Sequence, residues 1–424
     1  MTRAGFGVKL DNVVKKTGTG SELSESRTRC SAFWDACTMK AKWAIFTVLA
    51  VFSLLAVNSS SNALDTREID RIRSKEALEK QDLQVIDDFL ADGVEELLNA
   101  QKFTDIAKLR TVILSRQSTT QKQYAQQFSA SAFKHITSGL QASLPLPADR
   151  RIKVTVNLMI LIDGLADPAL MELSIAMLRS KDAVVRYWAV HSLTNDGLMK
   201  LLNSGDAAAS QRARVVADKL KELVDSSESE TIGLIAQFAG AVKIPQGEGL
   251  LLLIADARIK QYAAWKVAYE LLDGTILRLL AEKMLSGGAN KTALAYRFGQ
   301  LYSFAIQRYV KGGDYLTEVE NQQLVSVLVA TEASCVSKLL GTAQTGIRRA
   351  IERGDDTGLW SEHDRLLGTD AKAGELAAKI KFTYGPDSTG KMHDGPFALP
   401  APPKTGPTTQ APSVSAGMRN RRDA

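Results

Sequence analysis

The chain has 424 residues, with 53 Lys and Arg against 47 Asp and Glu and a formal net charge of +6. This length exceeds what one compact core usually organises, so two domains or an elongated array of repeats is expected. The excess of positive charge is modest and no Lys- and Arg-dense stretch contains interleaved aromatic residues, which argues against nucleic acid as a partner.

Residues 39–63 have the features of a bacterial secretory signal peptide. Residues 39–42 form a short basic start, and residues 43–57 form a run of 15 residues without a charge. Ser61 and Ala63 are small residues at the minus-three and minus-one positions of a cleavage site. Because the apolar run is shorter than the roughly 20 residues that span a bilayer, the sequence predicts export with cleavage. The alternative is a membrane-tethered protein whose 43–57 segment is not cleaved.

The 38 residues before Met39 do not fit an export signal, since they are polar and contain four acids. One hypothesis is that translation starts at Met39, and the other is an unusually long precursor. Residues 1–64 hold eight of the 53 bases and four of the 47 acids, so the mature chain keeps 45 bases against 43 acids. It also keeps Cys335 as its single cysteine, so an exported form has no internal disulfide and depends on burial for its stability.

The segment 65–143 is predicted to be an N-terminal helical block. It begins with closely spaced opposite charges, which are typical of a solvated helix or a short coiled coil. Apolar residues then recur at helical spacing, as in Val85, Ile86, Phe89 and Leu90.

A second block, 144–381, contains apolar residues at helical spacing and few prolines, each at a joint between helical stretches. Residues 247–254 are the best strand candidate and fit a buried helix equally well. The sequence therefore predicts an all-α fold. Seven of the eleven prolines lie after residue 384, and residues 382–424 are predicted to be a disordered Pro-rich tail.

A repeat occurs in the second block. Its pattern is an Asp, an aliphatic residue three positions later, a base at plus four, a small or β-branched residue at plus seven and an aliphatic residue at plus eleven. Such an Asp can cap a helix while plus three, seven and eleven share a buried face, and the base at plus four can reach the Asp of an adjacent repeat. The copies are Asp149, Ile152, Lys153, Val156 and Ile160; Asp182, Val185, Arg186, Ala189 and Leu193; and Asp256, Ile259, Lys260, Ala263 and Val267.

The middle copy, with the residues before it, resembles a HEAT repeat. The residues that carry this resemblance are Asp167, Pro168, Leu170, Leu173, Ala176 and Leu178, followed by the copy that starts at Asp182. The resemblance implies paired antiparallel helices stacked into a superhelix, and HEAT repeats as a class bind partner proteins. It covers at most residues 149–272, and Lys221 breaks the pattern where a further copy is due, so an irregular HEAT-like α-solenoid is predicted.

Aromatic residues in two of the copies are candidates for partner binding, although core packing is the simpler interpretation. These residues are Tyr187, Trp188, Tyr262, Trp265 and Tyr269. Other chemistry-bearing residues have ordinary interpretations: His191 as a surface or packing residue, Cys335 as a buried thiol, and Glu362, His363 and Asp364 as neighbours that point in different directions on a helix rather than a metal site.

No phosphate-binding loop, nucleophile elbow or zinc-protease motif is present, so no catalytic residue, metal or cofactor is predicted. The function that follows is a non-catalytic secreted or periplasmic scaffold for protein–protein interaction at the cell envelope. A membrane contact is expected only through residues 43–57 if that segment is uncleaved. The alternative from another class is an envelope enzyme that acts on glycan or peptide.

Overall fold

The structure, a computed structural model, describes residues 64–117, 119–386 and 389–404. The predicted signal peptide at 39–63, the segment before Met39 and the end of the chain from residue 405 lie outside the described residues.

Helices form most of the described chain, and the prediction of an all-α fold of stacked helical pairs is confirmed. The helices are α1 Arg67–Ile72, α2 Lys80–Asn99, α3 Phe103–Gln117, α4 Lys122–Ser143, α5 Ala148–Leu165, a 3-10 turn Pro168–Leu170, α6 Met171–Met177, α7 Ala183–Thr194, α8 Asp196–Leu202, α9 Ala207–Lys221, α10 Ser229–Ala241, α11 Pro245–Ala263, α12 Leu271–Leu285, α13 Lys291–Lys311, α14 Glu318–Thr331, a π turn Glu332–Val336, α15 Ser337–Leu340, α16 Gly346–Arg353, α17 Asp356–Leu367 and α18 Glu375–Ile380.

Two short antiparallel hairpins follow α17 and α18. Strands β1 Gly368–Thr369 and β2 Lys372–Ala373 pair with each other, as do β3 Gly385–Pro386 and β4 Met392–His393. The strand candidate 247–254 lies inside α11, so its helical interpretation is correct.

Helices pack on neighbours next in sequence and also two positions away, which is the contact pattern of a stacked array. Helix α2 packs on α4, α5 on α7, α10 on α12, and α12 on α14. Gly240 on α10 permits one such close approach, since a Cβ there would lie 2.4 Å from a methyl carbon of Leu279. Because the apolar faces meet continuously, one hydrophobic cluster runs from Leu64 to Leu399.

The N-terminal charged segment is broken rather than continuous. Helix α1 ends at Ile72, and Lys75 then turns back to bond both carboxylate oxygens of Asp82 at 2.7 and 2.8 Å. The carboxylate of Asp82 also accepts the N–H of Glu79, which closes a capping box at the start of α2. Lys75, Glu79 and Asp82 therefore form a helix cap where the sequence predicted a continuous solvated helix or a short coiled coil.

The predicted disordered tail begins too early at residue 382. Phe382, Tyr384 and Leu399 are buried, and the backbone N–H groups of Phe397 and Leu399 donate to glutamine side chains of α13. This segment contains few large apolar residues, but these three pack on apolar and amide side chains of the helical array.

The helical stretch Glu318–Leu340, which comprises α14, the π turn and α15, is long and apolar enough to cross a membrane by length and composition. Inside the fold 44% of its most apolar window is buried, and α14 packs on α12 and α13.

Candidate functional site

The copy that starts at Asp182 has the geometry of a capped inner helix. The Asp182 carboxylate accepts the backbone N–H groups of Val184 and Val185 at 3.0 and 3.2 Å, which caps α7. Val185, Ala189 and Leu193 are buried on one face. The base at plus four acts differently from the prediction: Arg186 donates to the carbonyls of Ser180 and Lys181 in the preceding turn, not to an Asp of another repeat.

The turn before this helix is also capped. Asp167 accepts the N–H of Ala169 at 2.9 Å, and Pro168 occupies the first position of the 3-10 turn. A proline there loses no hydrogen bond, because the first turn of a helix has free N–H groups.

The first copy is shifted from the predicted face. Helix α5 is capped at Pro147, so Asp149 lies in its first turn and is exposed. Ile152 is half-buried and Lys153 is exposed, whereas the buried stripe runs through Val154, Leu158, Leu161 and Leu165.

For the third copy, the prediction that its Asp caps a helix is wrong. Asp256 lies inside α11, which begins eleven residues earlier at Pro245, and it pairs with Arg297 of α13 at 2.8 Å. Ile259 is half-buried, and Lys260 and Ala263 are exposed. Because helical spacing is the same anywhere along a helix, the pattern alone did not distinguish a helix start from its interior.

Two candidate partner-binding aromatic residues are core residues instead. The Tyr262 hydroxyl donates to Asp273 Oδ2 at 2.8 Å, and Arg258 holds both oxygens of that carboxylate at 2.7 and 2.9 Å. Burial and the nearby Asp273 raise the pKa of Tyr262 well above its ordinary value. Trp265 is also buried and donates its indole N–H to the carbonyl of Pro400 at 3.0 Å.

Both rings surround a second buried cation, Arg308. Its guanidinium carbon lies 5.9 Å from the ring centroid of Tyr262 and 5.3 Å from that of Trp265. A side-chain nitrogen of Arg308 lies 3.0 Å from Glu270, and both side chains are 1% exposed. Since an unpaired charge at this depth would be costly, ring faces and carboxylate together make the burial of the guanidinium tolerable.

Tyr187 and Trp188 differ from these, because they line an open cleft. The cleft has a volume of about 400 Å³ and lies where the first turns of α7 and α10 meet. Val184 on its wall is 51% exposed, and the rings of Tyr187 and Trp188 make an edge-to-face contact with centroids 5.7 Å apart. Its lining residues are Ala183, Val184, Arg186, Tyr187, Trp188, Ser227, Glu228, Glu230 and Thr231. Tyr269 is half exposed, in the loop between α11 and α12.

The remaining titratable candidates have local partners. His191 bonds Asp163 at 2.8 Å, and this hydrogen bond raises the pKa of the imidazole. Cys335 is buried, which raises the pKa of its thiol. No group of three or more His, Cys, Asp or Glu that could hold a metal ion occurs among the described residues.

His363 belongs to a buried polar chain that the sequence did not reveal. Its Nδ1 lies 2.9 Å from Asp364 and its Nε2 lies 2.8 Å from Ser303 Oγ. Burial lowers the pKa of His363, so the ring is neutral. Because a carboxylate only accepts, Nδ1 carries the hydrogen and Nε2 accepts the Ser303 hydroxyl.

These distances match those of a Ser–His–Asp catalytic triad. Ser303, however, is fully buried in the middle of α13, and the side-chain amide of Gln307 donates to its oxygen at 2.9 Å. The chain of bonds therefore fixes the orientation of Gln307 and presents no hydroxyl to solvent. The only trace of it in the sequence is the helical spacing of Gln300, Ser303 and Gln307 within an otherwise apolar and aromatic stretch.

Comparisons with protein-family models, with curated proteins and with solved structures each give no match. The class of protein that the structure defines is an irregular array of stacked helical pairs, compatible with a helical solenoid.

Proposed function

We propose that this protein is a HEAT-like scaffold that binds a partner protein at the cell envelope, with no catalytic role in that binding. The observation that carries the proposal is the cleft of Tyr187 and Trp188, where half-buried aromatic side chains line an opening between two helix starts. Aromatic residues in such positions are frequent anchors of protein interfaces, since they bury much area with few rotatable bonds.

The chemistry of the cleft indicates what kind of partner fits. Glu228 and Glu230 are exposed at its rim, while Arg186 is already engaged with backbone carbonyls. A partner segment with an apolar anchor and a neighbouring Lys or Arg would therefore complement the cleft. The exposure of both glutamates also favours binding over acid–base catalysis, because they are not held together in an enclosed pocket.

Two further parts of the proposal, HEAT-like character and export, have separate support. HEAT-like character is supported by the cap at Asp182 and the buried face that follows it. Export is supported by the signal-peptide pattern at 39–63. A mature protein that begins at Leu64 in the soluble envelope fraction would agree with export and cleavage, and a membrane-bound form that retains residues 43–57 would contradict cleavage.

The test is affinity capture from envelope extract with Val184→Asp, Tyr187→Ala and Glu230→Arg variants. Loss of an aromatic anchor worth about 2 kcal/mol weakens binding roughly 30-fold, so Tyr187→Ala should release the partner that the wild type retains. Phe103→Ala is the matched control, an exposed aromatic residue outside the cleft. Equal capture by all variants would rule out the cleft as the site, and absence of a captured protein with the wild type would remove the scaffold proposal.

A further inference from the structure

The C-terminal segment lies on α13 as an extended peptide lies on a receptor. We call residues 395–404 the strap, and the side chains of Trp265, Gln300, Gln307 and Lys311 the seat. Gln300 accepts the N–H of Phe397 at 2.9 Å and donates to its carbonyl at 3.3 Å. One side-chain amide thus pairs with both polar groups of a residue, as a neighbouring β-strand would.

The same recognition continues two residues further on. Gln307 accepts the N–H of Leu399 at 2.7 Å and donates to the Phe397 carbonyl at 3.1 Å. Lys311 donates to the Leu399 carbonyl at 2.7 Å, and Trp265 donates to the carbonyl of Pro400. The seat therefore binds backbone atoms of Phe397, Leu399 and Pro400, and any extended peptide offers carbonyl groups at these positions. Sequence selectivity comes from the buried Leu399 side chain and from Pro400, which has no N–H to satisfy.

Gln307, at the centre of the seat, is also held by side chains outside the strap. Gln300 is fully buried and Gln307 is 2% exposed in the occupied state. Gln307 is oriented from below by Ser303, which is in turn bonded to His363. A site of fixed side chains loses little entropy when it binds, which is a property of dedicated binding sites.

An open cleft adjoins the seat at the start of α13, beyond the position of Phe397. Phe397 is near Gln300, and Leu399 is near Gln307 and Lys311, so the strap runs in the direction of α13. A chain extended backwards from Phe397 would enter a cleft of about 610 Å³ at the start of α13, lined in part by Lys291, Tyr296, Tyr384 and Pro386.

Phe397 of the strap lines this cleft, but the strap residues before it do not fill the cleft because the start of the strap is fixed elsewhere. Gly395 packs on the backbone of Thr369, where an added Cβ would lie 2.5 Å from the carbonyl carbon. A ligand without this constraint could use both the seat and the cleft, and would gain contacts that the strap lacks.

We propose that the seat and the adjoining cleft form a binding site for an extended peptide of a partner protein, with an apolar residue at the Leu399 position followed by proline, and that the strap occupies this site in the free chain. The site is separate from the Tyr187 cleft, so either proposal can fail alone. A tethered strap competes at an effective concentration in the millimolar range. Release of the strap is therefore expected to raise the apparent affinity for a free peptide about fivefold, because the strap no longer competes for the seat.

The test uses the full chain and a fluorescein-labelled peptide with the sequence of residues 395–404. Leu399→Asp places a charge in the buried position and frees the strap, and Gly395→Val frees it independently through the contact with Thr369. Hydrogen exchange of residues 395–404 shows whether the strap has been released. Fluorescence anisotropy should then show that the released proteins bind the peptide about fivefold more tightly than the wild type does.

Controls separate the seat from adventitious binding. Gln307→Ala, combined with Leu399→Asp, should abolish the gain, whereas Gln322→Ala, an exposed glutamine on α14, should preserve it. A released strap without peptide binding, or binding unaffected by Gln307→Ala, would overturn the proposal. Wild-type dimers that dissociate in excess peptide would assign the site to the strap of a second copy, and would likewise overturn a partner peptide as its occupant.

Discussion

His191 and His363 each bond an aspartate, yet their surroundings shift the pKa of the imidazole in opposite directions. These two residues are therefore the most informative ones for the pH dependence of stability. The hydrogen bond that His191 donates to Asp163 raises the pKa of His191, while burial lowers the pKa of His363 despite its bond to Asp364. Folding is therefore linked to protonation with opposite signs at the two sites.

Stability at acid pH should distinguish these histidines. The contribution of His191 is fully present below the unfolded pKa of about 6.5 and is lost as the pH rises through its folded pKa. His363 contributes fully above about 6.5, and that stability is lost as the pH falls through its depressed folded pKa. We expect His363→Gln to flatten the loss of stability between about pH 7 and pH 5, and His191→Gln to steepen it. Amide exchange in α17 and α7 measures both locally, and equal slopes for the two variants would contradict the assignment.

Single-residue environments were the least predictable from sequence. Tyr262 and Trp265 have a helical spacing that suits a surface stripe as well as a core. In the core their polar atoms bond Asp273, eleven residues after Tyr262, and the Pro400 carbonyl, 135 residues after Trp265. Contacts at such separations depend on the packing of whole helices, which local spacing does not contain.

At the scale of a helix, the Asp residues of the repeat pattern are expected to differ in what they contribute to the free energy of unfolding. Asp182 caps α7 with two backbone bonds, whereas Asp149 is exposed within the first turn of α5 and does not cap it. Asp182→Ala should therefore lower the free energy of unfolding by about 1 kcal/mol, and Asp149→Ala should change it by less than about 0.5 kcal/mol. Urea denaturation followed by helical circular dichroism measures the difference. Equal effects would mean that the repeat pattern has no bearing on helix initiation.

Helices were predictable as elements because their apolar spacing is local, and their boundaries were less so. Pro245 at the first position of α11 was the signal that Asp256 lies in a helix interior. The strap was missed for a different reason: its composition is that of a disordered tail. Its order comes from amide and ammonium groups of α13 that bond its backbone, and backbone bonding leaves no mark on the sequence of the segment that is bound.

For the molecule as a whole, these contacts predict that the strap contributes little net stability. Burial of Leu399 is worth about 2 kcal/mol and each strap hydrogen bond about 1 kcal/mol, while ordering each strap residue costs about 1 to 2 kcal/mol. Because ten residues must be ordered, this entropy cost offsets the gains. The stacked helices, by contrast, are stabilised by their neighbours in the array.

A chain that ends at Asp394 should therefore keep the helical circular dichroism of the full protein and unfold only a few degrees lower, as about 1 kcal/mol implies for a domain of this size. A chain that ends at Lys404 is the matched control and should unfold at the temperature of the full protein, because the described strap contacts lie within residues 395–404. Thermal unfolding at equal protein concentration measures all three. A fall of more than about 10 °C on removal of the strap would correspond to several kcal/mol. A segment bound that firmly belongs to the core and would not yield its place to a partner peptide, whereas a marginally bound one can be replaced by a ligand that also fills the adjoining cleft.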